Sequence, residues 1–135
     1  MNLPDFTPPL ATFFTVSSDY DVRRLGNATA ALAGLDVYAS TAIPGWNPSI
    51  LVAGLANGTI YRLSLNGGTG APLTYFKSQD RYRDLAIAPD GRRIYLITDS
   101  RGRALNAAGE MTPELANPGA LIELTYAGPR ASTAR

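Results

Sequence analysis

The sequence predicts an all-β fold made of repeated four-stranded antiparallel units. Three observations carry this. Thirteen glycines and ten prolines fall at close intervals between short runs rich in β-branched and aromatic residues. Hairpin chemistry stands at Asn57-Gly58 and Pro89-Asp90-Gly91, each between two such runs. The runs also fall into two similar sets, the first opening on Asp36 and the second on Asp84.

Taken in order, residues 10–16 read as a strand, and residues 17–33 as a polar, then alanine-rich stretch with a short helical turn at 28–32. The first set follows, with strands expected at 35–39, 49–53, 59–65 and 73–77. Pro44-Gly45, Asn47-Pro48, Asn57-Gly58 and Asn66-Gly67-Gly68 supply the turns between them. The second set has strands expected at 84–88, 93–98, a short one at 103–105, and 120–126. Residues 127–135 lack apolar periodicity and read as a disordered tail. The organisation expected is thus an N-terminal segment (1–33), two units (34–78 and 79–126) and the tail (127–135).

A repeat of roughly 40–50 residues with four short strands in each is the mark of β-propeller blades. Seven or so short strands with frequent turns suit a β-sandwich equally well, so the pattern alone leaves both open. As blades, two units are an incomplete ring, because propellers close with about four to eight. The missing neighbours come either from a longer parent chain or from self-association, three two-bladed chains making a ring of six.

Composition narrows the function. A chain of 135 residues suits one domain. Charged residues are only 17%, against roughly 25% in a typical soluble domain, and the net charge is +1. No bulk field therefore draws the chain to nucleic acid or an anionic membrane. With no Cys and no His, disulfides, thiolate metal sites and the usual hydrolytic triads are excluded. No run approaches the roughly 18 apolar residues of a membrane span. The N-terminal segment does not read as a signal peptide, since Asp5, Pro8, Pro9, Asp19, Asp21, Arg23 and Arg24 interrupt it.

The main candidates for chemistry are Arg81 and Arg83. In a strand, residues i and i+2 project to one face about 7 Å apart, so these two form an anion clamp or line a solvated face. Trp46 offers a ring face to a sugar, although its Pro-Gly-Trp-Asn-Pro setting suits a structural plug better. Among the acids, Asp90 belongs to its turn, Asp84 satisfies backbone donors or pairs with an Arg, and neither they nor Asp80 and Asp99 read as catalytic. Arg92, Arg93, Arg101 and Arg103 read as solvated hairpin charges. Asn27-Ala28-Thr29 and Asn57-Gly58-Thr59 match the glycosylation pattern at a level expected by chance.

The segment Ile43-Pro44-Gly45-Trp46-Asn47-Pro48-Ser49-Ile50-Leu51-Val52-Ala53-Gly54-Leu55, followed by Asn57-Gly58-Thr59-Ile60-Tyr61-Arg62-Leu63, resembles the C-terminal region of soluble quinoprotein glucose dehydrogenases and the related aldose and sorbosone dehydrogenases. So do Phe76-Lys77-Ser78-Gln79-Asp80-Arg81-Tyr82-Arg83-Asp84 and Glu114-Leu115-Ala116-Asn117-Pro118-Gly119-Ala120-Leu121-Ile122, in the same order and spacing. The resemblance runs from about Gly34 to Tyr126 and favours the propeller over the sandwich.

What the resemblance implies is a six-bladed propeller with pyrroloquinoline quinone in a basic axial pocket, where an aldose is oxidised by hydride transfer to the quinone. This chain resembles its last third. The family's catalytic His and its calcium ligands lie in earlier blades, which implies no catalytic residue and no metal ligand here, and no activity for the chain alone. Arg81 and Arg83 align with arginines that bind the cofactor's acid groups, a role suited to planar bidentate donors. A family Lys that shares this task is replaced by Ala56, a loss of about 2 to 3 kcal/mol in a partly buried anion site. The family also implies a periplasmic or secreted location.

Overall fold

The structure, a computed structural model, describes residues 9–13, 19, 21, 30–66 and 70–129. Among these every regular element is a strand. Four strands make the first sheet: β1 (Leu32–Tyr38), β2 (Ser49–Gly54), β3 (Thr59–Ser64) and β4 (Leu73–Tyr75), antiparallel and in sequence order. The second sheet contains β5 (Tyr82–Ile87), β6 (Arg93–Thr98) and β9 (Leu121–Thr125), also antiparallel. Between β6 and β9 the chain makes a separate hairpin, β7 (Ala104–Leu105) with β8 (Met111–Thr112).

The expected turns explain the strand order. The Asn57-Gly58 turn joins β2 to β3, and Gly58 has φ +54°. A Cβ there would collide with the carbonyl oxygens of Ser78 and Asp80, so the turn lies tightly on the segment that leads into β5. In the β5-β6 hairpin the Asp90 carboxylate accepts from the backbone N–H of Arg92 (2.9 Å) and Arg93 (3.3 Å), and Gly91 takes φ +66°.

The sheets stack face to face. Tyr38, Leu51, Ala53 and Ile60 of the first pack with Tyr82, Leu85, Ile94 and Leu96 of the second in one buried cluster. Burying an aliphatic or aromatic side chain of this size contributes about 1.5–3 kcal/mol, so this cluster is the main source of cohesion between the sheets. Polar contacts reinforce it near the inner strands. The Asp36 carboxylate accepts from the Ile87 N–H at 2.9 Å, and the Tyr38 hydroxyl donates to the Gly91 carbonyl at 2.6 Å. Gly34 meets Asp84 so closely that an added Cβ would overlap it. Trp46 plugs the rim as its sequence setting suggests, with its ring 5.7 Å from Tyr38, 4.9 Å from Tyr75 and 5.3 Å from the Arg62 guanidinium.

Several expectations need correction or fall outside the described residues. The second sheet has three strands, not four, because the chain after β6 turns into the β7-β8 hairpin before β9 returns to the sheet. Leu32 opens β1 instead of closing a helical turn, and the carbonyls of Ala30 and Ala31 accept from Ala56 and Leu55 of the β2-β3 turn. Residues 28 and 29 lie outside the described residues, as do Gly67, Gly68 and the tail from residue 130 on. No strand occupies residues 9–13, where Phe13 packs edge-on against Tyr61 at 5.0 Å; the rest of the strand expected at 10–16 lies outside. β4 ends at Tyr75 because Phe76 has φ +52° and gives its carbonyl to the Tyr82 hydroxyl at 2.6 Å.

An apolar groove of about 430 Å³ opens between the β4 and β9 sides of the two sheets. Its walls include Trp46, Tyr75, Phe76, Ile94, Leu124 and Tyr126. Neither of the arginines singled out by the sequence lines it.

Candidate functional site

Arg81 lies just before β5 and Arg83 within it, at a register shift between Tyr82 and Asp84. Tyr82 between them is buried in the core cluster, where burial pushes its hydroxyl above the ordinary phenol range. The flanking arginines are thereby turned the other way. Both guanidiniums reach one carboxylate, Asp99, immediately after β6. Arg83 holds it in a fork, Nε to Oδ1 and Nη2 to Oδ2, each 2.8 Å; Arg81 adds Nε to Oδ2 at 3.0 Å. Such side-on pairing of guanidinium and carboxylate is the stronger class of hydrogen bond.

Electrostatics follow the geometry. Hydrogen bonding from Arg83, supported by Arg81, holds the Asp99 carboxyl below the usual carboxylate range, with burial opposing. The same bond raises the Arg83 guanidinium. Two cations share one anion in this trio of side chains.

The surroundings form a platform. Asp80 is fully buried and accepts from the Ser78 hydroxyl (2.9 Å), the Asn117 N–H (2.6 Å) and the Asn117 amide Nδ2 (2.8 Å). That fixes the residue before Arg81. The Asn117-Pro118-Gly119 turn also braces the β6 end: Thr98 Oγ1 donates to the Asn117 carbonyl at 2.5 Å, and the Gly119 N–H donates to the Asp99 carbonyl at 3.0 Å. On the other side the loop after Asp99 folds over Arg81. Gly102, at φ +129°, lies with its backbone against the Arg81 guanidinium, and the Arg103 carbonyl accepts from Arg81 Nη1 at 2.7 Å.

Ala56 stands in the β2-β3 turn, whose Gly58 rests on Ser78 and Asp80, while the Ala56 N–H donates to the Ala30 carbonyl at 3.0 Å. Of the acids read from the sequence, Asp90 caps its turn and pairs with Arg93 at 2.8 Å, and Asp84 accepts from the Leu85 N–H at 2.8 Å. The bracing roles of Asp99, Asp80 and Asn117 are what sequence reasoning missed. Their only signal was adjacency to motifs, since the partners lie far off along the chain. Arg92 is also more than a solvated charge: it stacks on Tyr126 at 5.7 Å and donates to its carbonyl. Among the described residues no group of three or more His, Cys, Asp or Glu is placed to hold a metal ion.

Two comparisons with known proteins bear on this arrangement. A family model described as Glucose / Sorbosone dehydrogenase matches residues 21–106. Quinoprotein glucose dehydrogenase B of Acinetobacter calcoaceticus is 35% identical over 136 residues, covering 90% of this chain and 28% of that protein. The chain thus spans little more than a quarter of the relative's length. The matched region contains the first sheet, strands β5 and β6 of the second, and β7, and so the chain belongs to the glucose and sorbosone dehydrogenase family, its two larger sheets being blades of a β-propeller.

Proposed function

We propose that this chain is the C-terminal, cofactor-pocket portion of a pyrroloquinoline quinone-dependent aldose dehydrogenase, with sugar oxidation belonging to the complete ring. The observation that carries the reading is the convergence of Arg81 and Arg83 on one carboxylate, with Nη donors left over on both guanidiniums. Each has five N–H groups, of which these bonds commit two. The remaining donors fit the acid groups of a planar multi-carboxylate cofactor, and Arg83 is accessible, its side chain 52% exposed. When bound, such a quinone supplies the two-electron acceptor for the sugar's hydride. This chain's own residues would bind and orient its acid groups.

With no His anywhere in the sequence, the chain lacks the usual base for the sugar hydroxyl proton. The remaining blades, and with them the aldose contacts, come from a longer parent chain or from self-association. No helix among the described residues is long and apolar enough to cross a membrane.

The test is titration of the chain with pyrroloquinoline quinone, followed by absorbance at two salt concentrations. Weak, salt-sensitive binding is expected, lost in the Arg81→Ala/Arg83→Ala double variant and tightened roughly 10-fold or more by Ala56→Lys. No dye reduction should occur with the cofactor, calcium and glucose. Unfolding of the double variant, or an Ala56→Lys affinity equal to the parent's, would return the arginines to a purely structural role.

A further inference from the structure

Asp99 occupies an ambiguous position for an anion site. Its negative charge sits against both arginines that are to receive an anion, so simple Coulomb reasoning makes it a competitor. Its geometry argues the reverse. The backbone of Asp99 is pinned on both sides, its N–H to the Arg81 carbonyl and its own carbonyl to the Gly119 N–H, each at 3.0 Å. Its side chain is largely covered, and its two oxygens accept three N–H groups from the two guanidiniums. An arginine that is free in solution loses much rotamer freedom when it grips an anion. Here that loss has already been taken up by the fold, and the Gly102 backbone and Arg103 carbonyl close the last freedom of Arg81.

We propose that Asp99 is the positioning residue of an anion site: it fixes where the uncommitted Nη donors of Arg81 and Arg83 stand, and those donors take a carboxylate between them. This rests on the reading of the pair as an anion clamp. Three N–H groups stay uncommitted on each guanidinium, because Asp99 takes Arg81 only at Nε, with one Nη1 N–H going to the Arg103 carbonyl, and takes Arg83 only along its Nε–Nη2 edge. Two guanidiniums face one carboxylate in this trio, and exposure of Arg83 screens the repulsion of an incoming anion by Asp99.

The two views of Asp99 predict opposite signs. Titrating the 135-residue chain with benzene-1,3,5-tricarboxylate by calorimetry, Asp99→Asn should bind about 10-fold more weakly than the parent although it gains positive charge. Asp99→Glu should recover part of that loss. Arg83→Lys keeps the charge but cannot make the fork, and should also lose about 10-fold. Because Arg83 is exposed, that variant answers even where Asp99→Asn does not fold. Equal or tighter binding by Asp99→Asn or by Arg83→Lys, or no recovery with Glu, overturns the positioning role while leaving the clamp intact. A parent chain that does not bind the tricarboxylate at all overturns the clamp and this inference together.

Discussion

The two blades carry matched positions in unmatched surroundings. Asp36 and Asp84 each stand on the first strand of a blade, and their cross-strand partners are Leu51 and Ile97. Leu51 is completely buried, because the second blade covers that face of the first; Ile97 is 43% exposed. The aspartates differ likewise. Asp36 accepts from its own neighbour Val37 (2.7 Å) and from Ile87 of the next blade, whereas Asp84 accepts from its neighbour Leu85. On β9 of the second blade Leu121 is 69% exposed. The difference teaches that a blade's apolar pattern is written for two neighbours, and that the same pattern yields core or bare surface according to whether a neighbour is stacked on it.

The largest effect should come from the matched apolar pair. Leu51→Ala is expected to destabilise the chain by about 2–5 kcal/mol, as for other large-to-small changes in a packed core. Ile97→Ala should cost about 1 kcal/mol, since 43% of its surface stays in water on folding. Urea unfolding of the two variants checks this, and equal losses would mean that the bare face is covered in solution.

A smaller contrast should separate the aspartates. Asp36→Ala strands the Ile87 N–H in a partly buried site and should cost about 1–3 kcal/mol, while Asp84→Ala removes one local bond and should cost about 0.5–1.5 kcal/mol. The order of the urea midpoints is the measurement, and a reversed order would break the comparison.

The smallest effect is the pH dependence carried by the carboxylates at the two ends of β6. The folded-state pKa values of Asp99 and Asp90 are both depressed, the first chiefly by the Arg83 hydrogen bond and the second chiefly by the Arg92 backbone N–H. A depressed carboxyl adds stability that is present above its unfolded value, about 3.9, and is lost as pH falls through the lower folded value. Stability should therefore be flat in these groups above about pH 5 and decline below about pH 4. Asp90→Asn, compared with the parent in urea on both sides of this range, should show a shallower decline. An unchanged slope would show that the Asp90 carboxylate contributes nothing through ionisation.

Much of the fold was legible because the signals were local. Strands β2, β3 and β6 lie within a residue of their expected bounds, since alternating and β-branched runs end where Gly, Pro or Asn-Gly permits a turn. The β7-β8 hairpin was half missed, because two-residue strands carry no period. That the second blade has three strands was illegible for a different reason: the sequence repeat counts runs, not which sheet each run joins. In the site, Arg81 and Arg83 stood out through their spacing, whereas Asp99, which holds them, read as one acid among several.

What the sequence determined by itself was the all-β class, the places where the chain turns, and the pairing of Arg81 with Arg83 on one side of Tyr82. Each depends on backbone sterics and on alternation between adjacent residues, which act over a few positions. Only the tertiary structure decided that both arginines meet on Asp99, that Asp80 is buried under Asn117, and that Asp36 reaches across to Ile87. Those contacts join residues 16 to 51 positions apart. Their partners are chosen by how the sheets stack and where the loops between strands return, and local periodicity contains neither.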